Sequence, residues 1–426
     1  MTVTATPAAR SILRDPTFAR LWFIQASTQV GGNMALYALT VLVFDTTRSN
    51  TAVGALVASF VVPQIILSPF AGVVVDRLDL RWALVGPNIA RSIMTAGLAL
   101  AGANVPALLA LNLGISLTTV MLTPAEGSMI PRVVPRAQLQ TAMGIFNLTL
   151  QASFALGFAF LGPLLVTIAG PSSVLGVVAT LYVAATIACI GLPSAPPIRD
   201  AQESGREAVI RPLHELREGL GVIRGDREVS RPILHQAAGA SVAGVLGVLG
   251  AGLALTIGLE PTQLAVIVVP LGIGVVIGVL GLRRFGNRVP RRRAAEGGLL
   301  AFGLLTASLS LAGGLNGWLA GIGLSAVPFV VAAAVGAGAA YAVVSVSAQT
   351  ALLESMPSEA RGRIFGVLAS IVSAASLVPT LIAGPLADRV SASLVIGVVG
   401  LAVVGVGVWS ATRFGPLEGP ASDPVP

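Results

Sequence analysis

Leu264-Ala-Val-Ile-Val-Val-Pro270-Leu-Gly-Ile-Gly274-Val-Val-Ile-Gly278-Val-Leu280-Gly-Leu282 runs nineteen residues without a charge, and Arg283-Arg284 ends it. A helix that crosses the hydrocarbon of a bilayer needs roughly 20 mostly apolar residues. This stretch fits that length. Eleven further segments read the same way, giving spans at about 18–44, 52–75, 82–102, 105–125, 138–168 and 171–192, then 232–257, 262–282, 294–314, 318–352, 362–386 and 391–412. The first of them is too long and too polar on one side for a cleaved signal, and no small-residue cleavage site follows it.

Composition agrees. Apolar types supply 54% of the 426 residues and charged types only 11%, against roughly 25% charged in a soluble domain. A soluble core of this size would lack a polar coat, and lipid removes the need for one. All 26 basic residues are Arg. Without Lys, a P-loop ATPase motor and a Schiff-base enzyme are both excluded. Cys189 has no second cysteine to pair with, and His214 and His235 are the only histidines. No metal-ligand spacing, nucleophile–base pair or cofactor motif is present, so neither metal, cofactor nor enzymatic activity is expected.

The Arg residues also orient the chain. With a cytoplasmic N-terminus, 23 of the 26 fall on the inner side, Arg48 and Arg389 fall outside, and Arg91 lies within a span. Both termini are therefore expected inside the cell (inner or plasma) membrane. The net charge of +7 then faces the anionic inner leaflet, and no nucleic-acid partner is needed to explain it.

The one long polar stretch, 193–231, divides six spans from six. It begins Pro193-Ser-Ala-Pro196-Pro197, which cannot continue a helix. Leu213, Leu216, Leu220 and Ile223 then share one helical face, with Glu215, Arg217, Glu218 and Arg224 on the others. The reading is an amphipathic helix on the inner membrane surface; a solvated linker is the alternative. The expected domains are a six-helix bundle over 1–192, this cytoplasmic linker over 193–231, and a second six-helix bundle over 232–426. A shift of 222 residues superposes Pro135, Gly144, Gly162, Pro163 and Leu164 on Pro357, Gly366, Gly384, Pro385 and Leu386. That points to duplicated, parallel halves, an arrangement transporters use.

Gly72-Val-Val-Val-Asp76-Arg77-Leu-Asp-Leu-Arg81 resembles the signature loop of the major facilitator superfamily. It departs from it at Asp79 and Leu80, where the family carries Gly and a basic residue. Arg14-Asp-Pro-Thr-Phe18-Ala-Arg20-Leu-Trp22, Leu216-Arg-Glu-Gly219-Leu220 and Ala360-Arg361-Gly362-Arg363-Ile-Phe365-Gly366 are similar to one branch of it. That branch holds the drug-efflux transporters related to macrolide-efflux proteins and the enterobactin exporter. The resemblance implies an all-α membrane protein of twelve helices in two pseudo-symmetric bundles. It further implies a secondary transporter that works as a monomer and exports a hydrophobic or amphiphilic small molecule against protons. Import of a small metabolite on the same fold is the alternative, and a receptor or scaffold that no longer transports is another.

Candidate residues follow from position. Asp76 at the end of span two suits the N-terminus of a helix, where unpaired N–H groups and the dipole favour an anion. Gly72, Asp76, Arg77 and Arg81 with Arg361 and Gly362 at the start of span eleven would form a conformational switch. Gly384-Pro-Leu-Ala-Asp388-Arg389 repeats the spacing and is a candidate outer latch; the competing reading is an exposed pair of little energetic weight. Gln25, Gln29, Asn33, Asn112, Asn147 and Gln151 are amides within spans. In lipid they must face the bundle interior, either as a substrate pathway or as hydrogen-bonding between helices. Arg91 needs an acceptor, for which Asn88 and Glu126 are candidates. Glu126 would carry a coupling proton or serve as a structural partner of Arg91 or Arg132, and His235 is a second candidate for the proton. Gly274 and Gly278 would let two helices approach closely.

Overall fold

The computed structural model describes residues 12–197, 227–286, 290–322, 324–355 and 361–413, which are helical with short connections and without strands. The amphipathic segment expected at 213–224 lies outside the described residues. The helices are α1 (Pro16–Thr47), α2 (Asn50–Asp76), α3 (Leu80–Leu100), α4 (Val105–Val133) and α6 (Pro171–Ile190). Between α4 and α6 runs α5, Leu139–Phe154, continued through a π-helical Ala155–Leu161 into Gly162–Ala169. The remainder are α7 (Arg227–Thr256), α8 (Ala265–Phe285), α9 (Arg291–Ser308, continued by Leu309–Leu311 and Ala312–Ala320), α10 (Val327–Ser355), α11 (Arg361–Arg389) and α12 (Ala392–Arg413).

Among the described residues, ten of these helices are long and apolar enough to cross a membrane. Outside that set is α1, which carries Gln25, Gln29 and Asn33. Large apolar side chains such as Ile93, Leu148, Ile168 and Leu401 are exposed. In water that would be a defect; against lipid chains it costs nothing.

Local chemistry explains where helices begin. Asp15 caps α1 by accepting from the Thr17 and Phe18 N–H groups at 2.8 and 2.9 Å. Asn104 caps α4 through Ala107 N at 3.1 Å. Asp79 caps α3 through Arg81 N at 2.8 Å and accepts a further short hydrogen bond from Ser194 Oγ. The departure from the family loop at Asp79 thus has a local use: a short acid at an N-cap satisfies a donor that the helix itself leaves unpaired.

The chain divides into two compact units. The first comprises residues up to His214 with Gly247–Gly272 and Thr380–Ala392; the second comprises Glu215–Leu246, Ile273–Pro379 and Ser393–Pro426. In the first, Phe18, Leu21, Ile24, Leu84, Leu122, Met129 and Phe146 form a buried cluster joining α1, α3, α4 and α5. The π-helical turn of α5 lies against α1 so closely that a Cβ on Gly157 would sit 2.5 Å from the Val30 carbonyl oxygen. In the second, Val242, Leu299, Phe302, Ala337, Val344 and Val403 form the core. There a Cβ at Gly274 or Gly278 would overlap the α10 backbone at Val335 or Ala339, the close approach expected of that glycine pair.

Candidate functional site

Three helices of the first unit, α1, α3 and α4, bring polar residues to one cavity, and α2 and α6 complete its wall. The empty space at it, open solvent included, is about 790 Å³, and its lining includes Thr28, Gln29 and Asn33 of α1, Phe60 of α2, Arg91 and Thr95 of α3, Asn112, Thr119, Thr123 and Glu126 of α4, and Tyr182 of α6. Leu36, Leu39, Leu98, Ile115 and Leu122 supply its apolar wall.

The amides lie where helical spacing put them, at different tasks. Asn112 donates to the Leu56 carbonyl at 3.1 Å and to Ser59 Oγ at 2.9 Å, tying α4 to α2. Asn33 donates to the Gln29 carbonyl at 2.9 Å within α1. Gln25 is buried outside the lining and donates to the Phe146 carbonyl at 3.4 Å. Asn147 is exposed and also outside it. The side chain of Gln151 lies outside the described residues.

Arg91 is 4% exposed. Its guanidinium donates to the Tyr182 hydroxyl at 2.7 Å and lies 4.1 Å from the centre of that ring. The expected acceptors are not the ones used. Asn88 donates to Leu84 O at 2.9 Å and to Cys189 Sγ at 3.6 Å, and points away from this role. Tyr182 is one of three tyrosines in the chain, but it lies 91 positions from Arg91, and no local spacing could pair them.

Glu126 is 7% exposed and lines the same cavity. Its helix runs on to Val133, so it sits nearly two turns inside the end of α4. The charge that acts on it most is Arg91. Among the described residues it forms no hydrogen bond and no direct ion pair with Arg91 or Arg132. A buried guanidinium and a buried carboxyl therefore share one cavity without closing on each other. Removing such a carboxylate from water without donors is costly.

The loop that suggested a switch is partly described. Asp76 ends α2, exposed, with no hydrogen bond or ion pair among the described residues, and Arg77 is exposed beside it. Gly72 has open space around it. Arg81 lies 5.4 Å from the centre of the Trp82 ring. Arg361 and Gly362 begin α11, and their side chains lie outside the described residues. Asp388 of α11 accepts hydrogen bonds from Ser49, Asn50 and Thr51 at the start of α2; its neighbour Arg389 is exposed. His235 of α7 is buried with Nε2 at 2.8 Å from Ser410 Oγ of α12, a packed and partnered side chain.

The family model of the Major Facilitator Superfamily matches residues 21–380. The MFS-type transporter YfiS of Bacillus subtilis is 24% identical over 379 residues, covering 88% of this chain and 87% of the relative. The MFS-type transporter Rv0037c of Mycobacterium tuberculosis is 32% identical over 160 residues, 34% of this chain. The chain spans only 36% of that relative's length. Among solved structures, the nucleoside transporter NupG superposes with a TM-score of 0.67 at 14% identity, covering 92% of this chain and 97% of the other. A POT family transporter in complex with 5-aminolevulinic acid superposes at 0.65 and 11% identity, covering 92% and 96%. At these identities the likeness is one of fold. A polar cavity inside an apolar helical bundle, and a family match over most of the length, lead to one conclusion: this chain is a multi-pass membrane protein that belongs to the major facilitator superfamily.

Proposed function

We propose that the protein is a secondary active exporter in the cell membrane, working as a monomer by alternating access between two six-helix bundles. Its cargo is a hydrophobic or amphiphilic small molecule, and its drive is a proton carried by Glu126. The observation that supports this reading is the shared cavity of Arg91 and Glu126. Most of its wall is aliphatic, threonine or amide, which suits a cargo of little charge. The cavity's single carboxyl has no hydrogen-bond donor among the described residues, and Arg91 is the one cation that shares its lining. A proton on Glu126 removes the cost of its buried charge; its loss restores the attraction to Arg91. That alternation is a two-state element of the kind a coupled carrier needs.

The test is accumulation of a neutral amphiphilic fluorescent dye in cells with and without the protein. Export predicts lower accumulation with the protein, restored by an uncoupler. Higher accumulation with the protein would establish import in its place. Binding of the dye to purified protein in liposomes, with no movement under any gradient, would leave a receptor or scaffold.

A further inference from the structure

Asn50, the first residue of α2, is 7% exposed although it begins a helix after a short turn. Two glycines account for that burial. A Cβ on Gly384 of α11 would stand 2.6 Å from the Asn50 carbonyl oxygen, and a Cβ on Gly252 of α7 would stand 2.6 Å from its Oδ1. Bare backbone on two helices thus makes the seat into which Asn50 fits. Over it, Asp388 accepts four hydrogen bonds: from Ser49 Oγ at 2.6 Å, Asn50 N at 2.8 Å, Asn50 Nδ2 at 2.9 Å and Thr51 N at 2.9 Å. An α-helix leaves its first N–H groups without internal partners. Here a carboxylate some 340 positions away in sequence satisfies two of them, and the positive end of the α2 dipole favours its charge.

We infer that Asp388 and the seat at Gly252 and Gly384 form a releasable latch on the start of α2, which holds the Arg48 side of the carrier shut. The inference rests on the transporter reading above. Its geometry is that of a switch contact. The bonds converge on one carboxylate, so breaking one anchor frees them together. The glycine seat is complementary in shape but carries no side chain to interlock, so α2 can leave it without a rotamer change. The nearby charges do not compete, because Arg48 pairs with Asp45 at 2.9 Å and reaches Glu260 at 3.8 Å. Burial opposes the Asp388 charge, but the donors of Ser49, Thr51 and Asn50 outweigh it and hold the carboxyl well below the usual carboxylate range. The latch therefore stays a charged acceptor wherever Glu126 exchanges its proton, and its release is mechanical.

The experiment places spin labels at Ala55→Cys and Val390→Cys, both exposed, in a Cys189→Ala background. Interlabel distances are read by pulsed EPR in the purified full chain. The parent is expected to show a short-distance majority, unchanged between mildly acid and mildly alkaline buffer. Asp388→Ala and, independently, Gly384→Val should lose that majority to a longer component, with Asp388→Asn between. An unchanged distribution in folded Asp388→Ala and Gly384→Val would overturn the latch. A liposome assay of the same variants separates the two readings. Unchanged distances with intact transport would sink the latch alone, whereas shifted distances without transport in the parent would sink the transporter reading alone.

Discussion

Arg91 and Tyr182 bind each other in two ways at once: a hydrogen bond of 2.7 Å to the hydroxyl and a guanidinium carbon 4.1 Å from the ring centre. Both side chains are buried. The pair fixes the only charged side chain of α3's interior against α6 and leaves its Nε without a partner among the described residues. Tyr182→Phe keeps the ring and removes the hydroxyl. Hydrogen bonds to charged groups contribute about 1.5–3 kcal/mol, so the variant should unfold measurably earlier in a thermal-shift assay. Tyr182→Leu should cost more, since it also removes the cation–π contact. Equal melting temperatures for wild type and Tyr182→Phe would show that the hydroxyl contributes nothing.

Glu126→Gln keeps shape and removes the proton site. Uphill transport should be lost, while exchange of cargo across a membrane without a gradient continues. Both are measured in the same proteoliposomes. Retention of gradient-driven movement would move the coupling site elsewhere.

Gly157→Val places a branched side chain where a Cβ alone would already lie 2.5 Å from Val30 O and 2.7 Å from Asn33 Cβ. Overpacking of this kind costs about 1–3 kcal/mol. A lower melting temperature and weaker transport are expected, with Gly144→Val, which has open space, as the control. Equal behaviour of the two would remove the argument that α5 must touch α1 here.

Asp79 gives a pH signature. Burial opposes its charge, but hydrogen bonds from Ser194, Arg81 and Ala195 and the nearby Arg81 cation outweigh it and lower its pKa from the ordinary 3.8. A folded-state value below the unfolded one stabilises the fold above the unfolded pKa, and this contribution disappears as pH falls through the folded value. Asp79→Ala should therefore lower the melting temperature near neutral pH, by an amount that shrinks in strong acid. Loss of a cap typically costs about 1 kcal/mol. A difference that grows on acidification would contradict this assignment.

The orientation is also open to direct measurement. A reporter inserted into the 193–231 loop should be cytoplasmic, and one inserted at Arg48 should be external. Finding both in one compartment would refute the placement of the Arg residues and, with it, the two-bundle carrier.

Some of the site could be read without coordinates. Arg91 and Glu126 stood out because an ionisable residue within an apolar run needs a reason, and both line the cavity. Gln29, Asn33 and Asn112 followed from helical spacing and also line it. Gln25 obeys the same spacing but turns to the Phe146 carbonyl instead, because one stripe along α1 meets different neighbours at different depths. Asp388 was visible only as an echo of the Asp76 motif. Nothing near it in sequence announced Ser49, Asn50 or Thr51.

The amino-acid sequence by itself determined that this chain lives in a membrane, roughly where each helix starts and stops, and which few polar groups are carried inside. Apolar length, capping residues and Arg distribution are local properties, and local properties are written along the chain. Tertiary structure alone decided that Arg91 meets Tyr182, that Glu126 is left facing it unbonded, and that Asp388 grips the start of α2. The reason is rotational. In water, a helix shows its inner face by contrast with a polar outer one. In lipid both faces are apolar, so the pattern does not say how each rod is turned about its axis, and that turn selects which distant side chains touch.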